Sequence, residues 1–284
     1  MKKVLGILGG MGPAATADLY GKVVSLTAAT KDGDHIRTII DSNAQIPDRT
    51  QAILSGGESP LEEMESALDN LACCGAEVII IPCNTAHYFL PALKEYAREE
   101  YVETLCAETT HLETEYASKE FTPDECTLNL EFVSMIEETA KACAKLNPKT
   151  AAVLATKGTL ESGLYQKALN DEGVNFLTPD EEGKDVLMKV IYDGVKAGAE
   201  VEDYIPEFAA LLERMKGQGA DYFVLACTEL PIAFAQLTEY LEKSAIGKCK
   251  GDPGECGNNS YSAIDPTEEL AKAAILACGY TLKA

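Results

Sequence analysis

Cys83 and Cys227 are the residues whose surroundings point most directly to chemistry. Glu77-Val78-Ile79-Ile80-Ile81 is a short β-branched run ahead of Pro82-Cys83-Asn84-Thr85, and Tyr222-Phe223-Val224-Leu225-Ala226 leads straight into Cys227-Thr228-Glu229. Each run reads as a buried parallel strand, so each thiol falls on the turn from a strand's carboxyl end into a helix. Ligands of open α/β sheets bind at such ends. The free N–H groups of the following helix favour negative charge there, a setting expected to draw a thiol toward the reactive thiolate. Two thiols on equivalent turns, 144 positions apart (227 − 83), can take a proton from one face of a carbon and return one to the other. That exchange inverts an α-amino-acid centre. Asn84, Thr85 and Thr228, with the turn N–H groups, are suited to hold a carboxylate beside the developing carbanion.

The elements that must position these turns come in two similar sets. Val4-Leu5-Gly6-Ile7-Leu8 reads as a strand, Gly9-Gly10-Met11-Gly12-Pro13 as a turn, and a helix follows from about Ala14 to Ala29. The turn is neither GxGxxG nor a P-loop, but its glycines let backbone approach a ligand closely. A second strand over His35–Ile40 exits through the polar loop Asp41–Thr50, and Leu61, Met64, Leu68 and Leu71 lie at helical spacing. Cys73 and Cys74, which end that helix, are expected to pack. Thr150–Ala155 repeats the opening strand, Thr156-Lys157-Gly158-Thr159 repeats its turn, and a helix follows around Ser162 to Leu169. Strand, turn and helix recur at nearly the offset of the cysteine pair, which predicts an internal duplication into two α/β halves. Helices over Val186–Lys196 and Tyr204–Lys216 lead to the second cysteine turn, and Asp265-Pro266-Thr267 caps a closing helix expected to pack on the first half.

Two stretches fall outside the duplicated pattern. Residues 101–127 are polar and acidic, and Gly247–Ser260 is rich in Gly, Cys and Asn. Cys106, His111 and Cys126 have irregular spacing and only one His among them, so no metal site is expected. Cys249 and Cys256 read as surface-loop thiols.

Composition narrows the class further. The chain has 284 residues, 46% hydrophobic and 25% charged, with ten cysteines. No apolar run approaches the ~20 residues of a membrane span, and thiols in this number fit a reducing, cytoplasmic setting. A formal charge of −22 argues against nucleic acid as a partner. An anionic small substrate would then need local cations, and arginine is confined to Arg37, Arg49, Arg98 and Arg214.

Pro82-Cys83-Asn84-Thr85-Ala86-His87 and Ala226-Cys227-Thr228-Glu229-Leu230 resemble the paired signatures of the pyridoxal-phosphate-independent aspartate/glutamate racemase family. Gly9-Gly10-Met11-Gly12-Pro13, Ile46-Pro47-Asp48-Arg49-Thr50 and Leu154-Ala155-Thr156-Lys157-Gly158-Thr159 are similar to its remaining blocks, most closely in the aspartate racemase branch. The resemblance runs in order from about residue 3 to 240, and the Asp-Ser-Gly signature near the start of cell-wall glutamate racemases is missing. It implies two similar doubly wound α/β domains related by a pseudo-two-fold axis, with the active site in the interdomain cleft. Residues 1–127 would form the first domain, with 101–127 inserted and a C-terminal helix over 263–284 completing it. Residues 128–240 would form the second, and 241–262 a loop insertion. Cys83 and Cys227 would be the acid/base thiols, with Met11, Arg49, Asn84, Thr85, Thr139, Lys157, Thr228 and Glu229 around the substrate. Arg49 and Lys157 would neutralise the substrate's carboxylates, and His87 would brace the Cys83 turn. The implied reaction interconverts L- and D-aspartate without a cofactor, in a homodimer. Glutamate or broad-specificity racemisation, diacid isomerisation or decarboxylation, and silent sensing of an acidic amino acid are the alternatives.

Overall fold

The computed structural model describes residues 2–98, 130–248 and 261–283, with the backbone alone described for 244–248. The expected 101–127 insertion, and Cys249 and Cys256, lie outside the described residues.

Two four-stranded parallel sheets form the frame. The first has the order β2-β1-β3-β4, from Thr38–Ser42, Leu5–Gly9, Val78–Ile80 and Glu131–Val133. The second repeats it as β6-β5-β7-β8, from Phe176–Leu177, Ala151–Ala155, Tyr222–Ala226 and Ala263–Ile264. β1, β3 and β5 are buried throughout, as runs covered on both faces must be. In each sheet the chain leaves the first central strand toward one edge and returns beside it toward the other. The switch points therefore lie between β1 and β3 and between β5 and β7, where crevices open at the carboxyl ends.

Helices cover both faces. α1 (Pro13–Leu26) and α11 (Pro266–Ala277) bury Leu19, Val23, Leu270, Ala274 and Ile275 against Leu5 and Ile7. The closing helix thus packs on the first sheet. α2 (Arg49–Ser55) follows the β2 loop, and α3 (Leu61–Cys73) with α4 (90–98) covers the opposite face through Met64, Leu68, Leu71 and Leu93. In the second half α5 (Met135–Leu146), α6 (Lys157–Glu161) and α7 (Leu164–Asp171) line one face with Ile136, Cys143, Leu160 and Tyr165. α8 (Glu181–Met188), a π-helical continuation over Lys189–Lys196, α9 (Ile205–Gly217) and α10 (Leu230–Lys248) cover the other.

Four details differ from the pattern read in sequence. The strand Glu131–Val133, expected in the second half, is the edge of the first sheet, paired with β3 through Ile79 and Phe132. Ala263–Ile264, expected with the first half, pairs with β7 in the second sheet, through Phe223 and Val224. Helix α10 runs on to Lys248, so 241–248 is not loop. Cys73 and Cys74 are exposed at the end of α3 rather than packed.

Glycine permits two close approaches near the switch points. Gly10 has φ +93°, and a Cβ there would lie 2.2 Å from the Asn43 carbonyl oxygen. A Cβ on Gly158 would stand 3.0 Å from Thr50 Cα, where α6 meets α2 across the two halves.

Candidate active site

The two strand ends meet at one cavity. It is lined by Met11, Arg49, Cys83, Asn84 and Thr85 from the first half and Thr156, Cys227, Thr228 and Glu229 from the second. Asp48, Thr50, Tyr192 and Lys196 complete the wall. The cysteine turns are built alike: the Cys83 N–H donates to Ile81 O and the Cys227 N–H to Leu225 O, both at 2.8 Å. Both thiols are nearly buried, at 6% and 8% exposure.

The electrostatics of the two turns differ. The Cys227 thiol donates to Glu229 Oε2 at 3.0 Å, and Thr228 Oγ1 donates to the same oxygen at 3.2 Å. Burial first, and then the Glu229 carboxylate, push the Cys227 thiol well above its ordinary pKa. For this residue the strand-end setting is outweighed, contrary to the expectation from sequence. Cys83 has instead the Arg49 guanidinium within electrostatic reach. Burial opposes the charge on Arg49, but Cys83 and Asp48 more than offset it and raise its pKa. Arg49 Nη1 donates to Ile46 O and Pro47 O at 3.2 and 3.0 Å, while its Nε is buried with no partner.

A second cation stands opposite. Lys196 Nζ lies 3.7 Å from Glu229 Oε1 and 4.4 Å from the centroid of the Tyr192 ring. Burial works against its charge, yet Glu229 and Cys227 hold its pKa above the ordinary value. Tyr192 OH donates to Asp48 Oδ2 at 3.2 Å, a clasp across the cleft. Tyr192 and Lys196 both ride on the π-helical stretch, a widened form found disproportionately at functional sites.

Further hydrogen bonds fix the turns. His87 Nε2 accepts from Met135 N–H at 3.0 Å, so Nδ1 carries the proton and donates to Cys83 O at 2.8 Å. Burial lowers the His87 pKa to about 4, and the neutral ring ties the Cys83 turn to the start of α5. Thr85 Oγ1 lies 3.1 Å from Thr156 Oγ1 and 2.8 Å from Thr159 Oγ1, joining the two halves.

Eight of the ten residues singled out from sequence line the cavity. Thr139 and Lys157 do not. Thr139 is fully buried, donating to Met135 O at 2.7 Å. Lys157 opens α6, and its ammonium turns outward to Asp185 Oδ1 at 2.5 Å. Lys196 supplies the cation that Lys157 was expected to bring. Tyr192 and Lys196 went unassigned, although one cation and one aromatic a helical turn apart are a readable signal.

The family described as Asp/Glu/hydantoin racemase has a model that matches residues 8–98 and 127–278. Among curated relatives, the broad-specificity amino-acid racemase RacX of Bacillus subtilis is 25% identical over 231 residues, 80% of this chain and 86% of the relative. Among solved structures, the aspartate racemase of Picrophilus torridus is 28% identical, with a TM-score of 0.66, over 99% of this chain and 96% of that one. An aspartate racemase homologue from Pyrococcus horikoshii, 21% identical, shares the fold with a TM-score of 0.64 over 98% and 99% of the two chains.

Proposed function

Since the chain belongs to the Asp/Glu/hydantoin racemase family, a family of amino-acid racemases, we propose that it interconverts L- and D-aspartate by proton transfer between Cys83 and Cys227. The observation that carries this reading is that two thiols on equivalent strand ends line one cavity together with two cations, Arg49 and Lys196.

One thiolate removes the α-proton and the thiol on the opposite face delivers its own, leaving the first cysteine protonated and the second as thiolate. The reverse reaction exchanges the roles. No cofactor is required by this sequence of steps. Arg49 and Lys196 neutralise the two carboxylates of a dicarboxylic amino acid, whose charge an acidic protein would otherwise repel. Stabilising the α-carboxylate as electron density moves into it lowers the barrier to carbanion formation. The Asn84 amide supplies a further hydrogen bond, while Met11, Thr85 and Thr228 close the wall.

The similarity to a broad-specificity relative supports a second reading in which neutral amino acids are also turned over. Chiral separation of products from L- and D-aspartate, glutamate and neutral amino acids decides between them. Fastest turnover of aspartate is expected. Faster turnover of neutral amino acids would overturn the dicarboxylate assignment, and no turnover across the panel would overturn the racemase reading. A cytoplasmic homodimer belongs to the same proposal, with light scattering as the check on assembly.

A further inference from the structure

Tyr165 stands outside the cavity yet reaches one of its walls. It sits on α7, in the second half, with its side chain fully buried. Its hydroxyl donates to Asn84 Oδ1 at 2.6 Å, across to the first half. Burial pushes the phenol far above its ordinary pKa, so it remains a donor. Asn84 is 3% exposed and lines the cavity, and its Nδ2 has no partner. A buried amide donor without a partner is costly, and a ligand acceptor in the cavity would remove that cost. Tyr165, which does not line the cavity, holds Oδ1 and leaves the Nδ2 donors without a partner on a residue that does.

We propose that Tyr165 is a positioning residue: by holding Asn84 Oδ1 from across the cleft, it turns the Asn84 amide to donate to the substrate carboxylate. This rests on the proposed function and adds a residue to it. Asn84 is oriented only while α7 is seated against the Cys83 turn, which makes the donor geometry a property of the assembled halves.

The test is a double-mutant cycle on the full chain with Tyr165→Phe and Asn84→Ala, reading both the Kd of succinate, an unreactive dicarboxylate, and kcat and KM for aspartate. Phe fills the same volume, and the melting temperature checks that the variant folds. Tyr165→Phe is expected to weaken succinate binding and lower kcat/KM by on the order of tenfold, as loss of one well-placed hydrogen bond does. In the Asn84→Ala background the same change is expected to do nothing further. A Tyr165→Phe enzyme with wild-type succinate affinity, whatever its melting temperature, would overturn the proposal, as would losses that add in full. If Tyr165→Phe does not fold, Asn84→Ala alone is read against the wild type, with weaker succinate binding expected and wild-type affinity overturning the proposal. Should the wild type bind succinate with this pattern but leave aspartate unchanged, the racemase reading fails and the positioning role stands.

Discussion

The Cys227 sulfur and the Glu229 carboxylate are 3.0 Å apart, with the thiol as donor. A carboxylate at that distance holds the proton on sulfur, so Glu229 acts on the state in which Cys227 waits. Replacing it by Gln keeps a side-chain oxygen and removes the charge. In Glu229→Gln the pH at which Cys227 becomes reactive is expected to fall, because a like charge beside the thiolate is removed. Iodoacetamide labelling of Cys227 against pH measures it, and an unchanged profile would leave burial as the sole cause.

Lys196 and Lys157 should separate cleanly on mutation. Lys196 lines the cavity, and a charge-assisted bond to a carboxylate is worth about 1.5–3 kcal/mol. Lys196→Met should therefore raise KM for aspartate by about ten- to a hundredfold. Lys157 is engaged with Asp185 at a partly exposed position, and such pairs contribute little. Lys157→Met should leave steady-state kinetics close to wild type. Equal losses in the two variants would contradict the placement of both.

His87 makes stability sensitive to acid. Its pKa falls from 6.5 to about 4 on burial, so below pH 6.5 the unfolded chain takes up a proton that the folded chain refuses. The contribution is complete above that value and is lost as pH drops through about 4, in total about 3 kcal/mol. Urea unfolding at pH 7 and pH 4.5 should show a steeper loss in the wild type than in His87→Gln. Parallel losses in the two proteins would remove His87 as a cause.

Much of this was legible in the chain because the signals were local. Strand runs of β-branched residues, glycine turns and the recurrence of Cys-Thr after a strand depend only on near neighbours. The cleft residues that escaped reading depend on folding. Lys196 precedes Cys227 on a separate helix, and only the packing of that helix under β7 brings its ammonium to Glu229. Lys157 directly follows a strand-end threonine, where a ligand cation is plausible, yet the start of α6 turns it toward Asp185. Strand edges were similarly hidden: Glu131–Val133 and Ala263–Ile264 are short, and nothing in three or two residues states which sheet they complete. Glu229 was seen beside Cys227, but that its charge would outweigh the strand-end field required the 3.0 Å contact.

The central claim is that both thiols handle the same α-proton. L- and D-aspartate incubated in D₂O with wild type, Cys83→Ala and Cys227→Ala, and followed by proton NMR with chiral analysis, test it directly. The account predicts exchange with inversion in the wild type and no inversion in either variant, each keeping at most the exchange of one enantiomer. Inversion at the wild-type rate by either variant would contradict it.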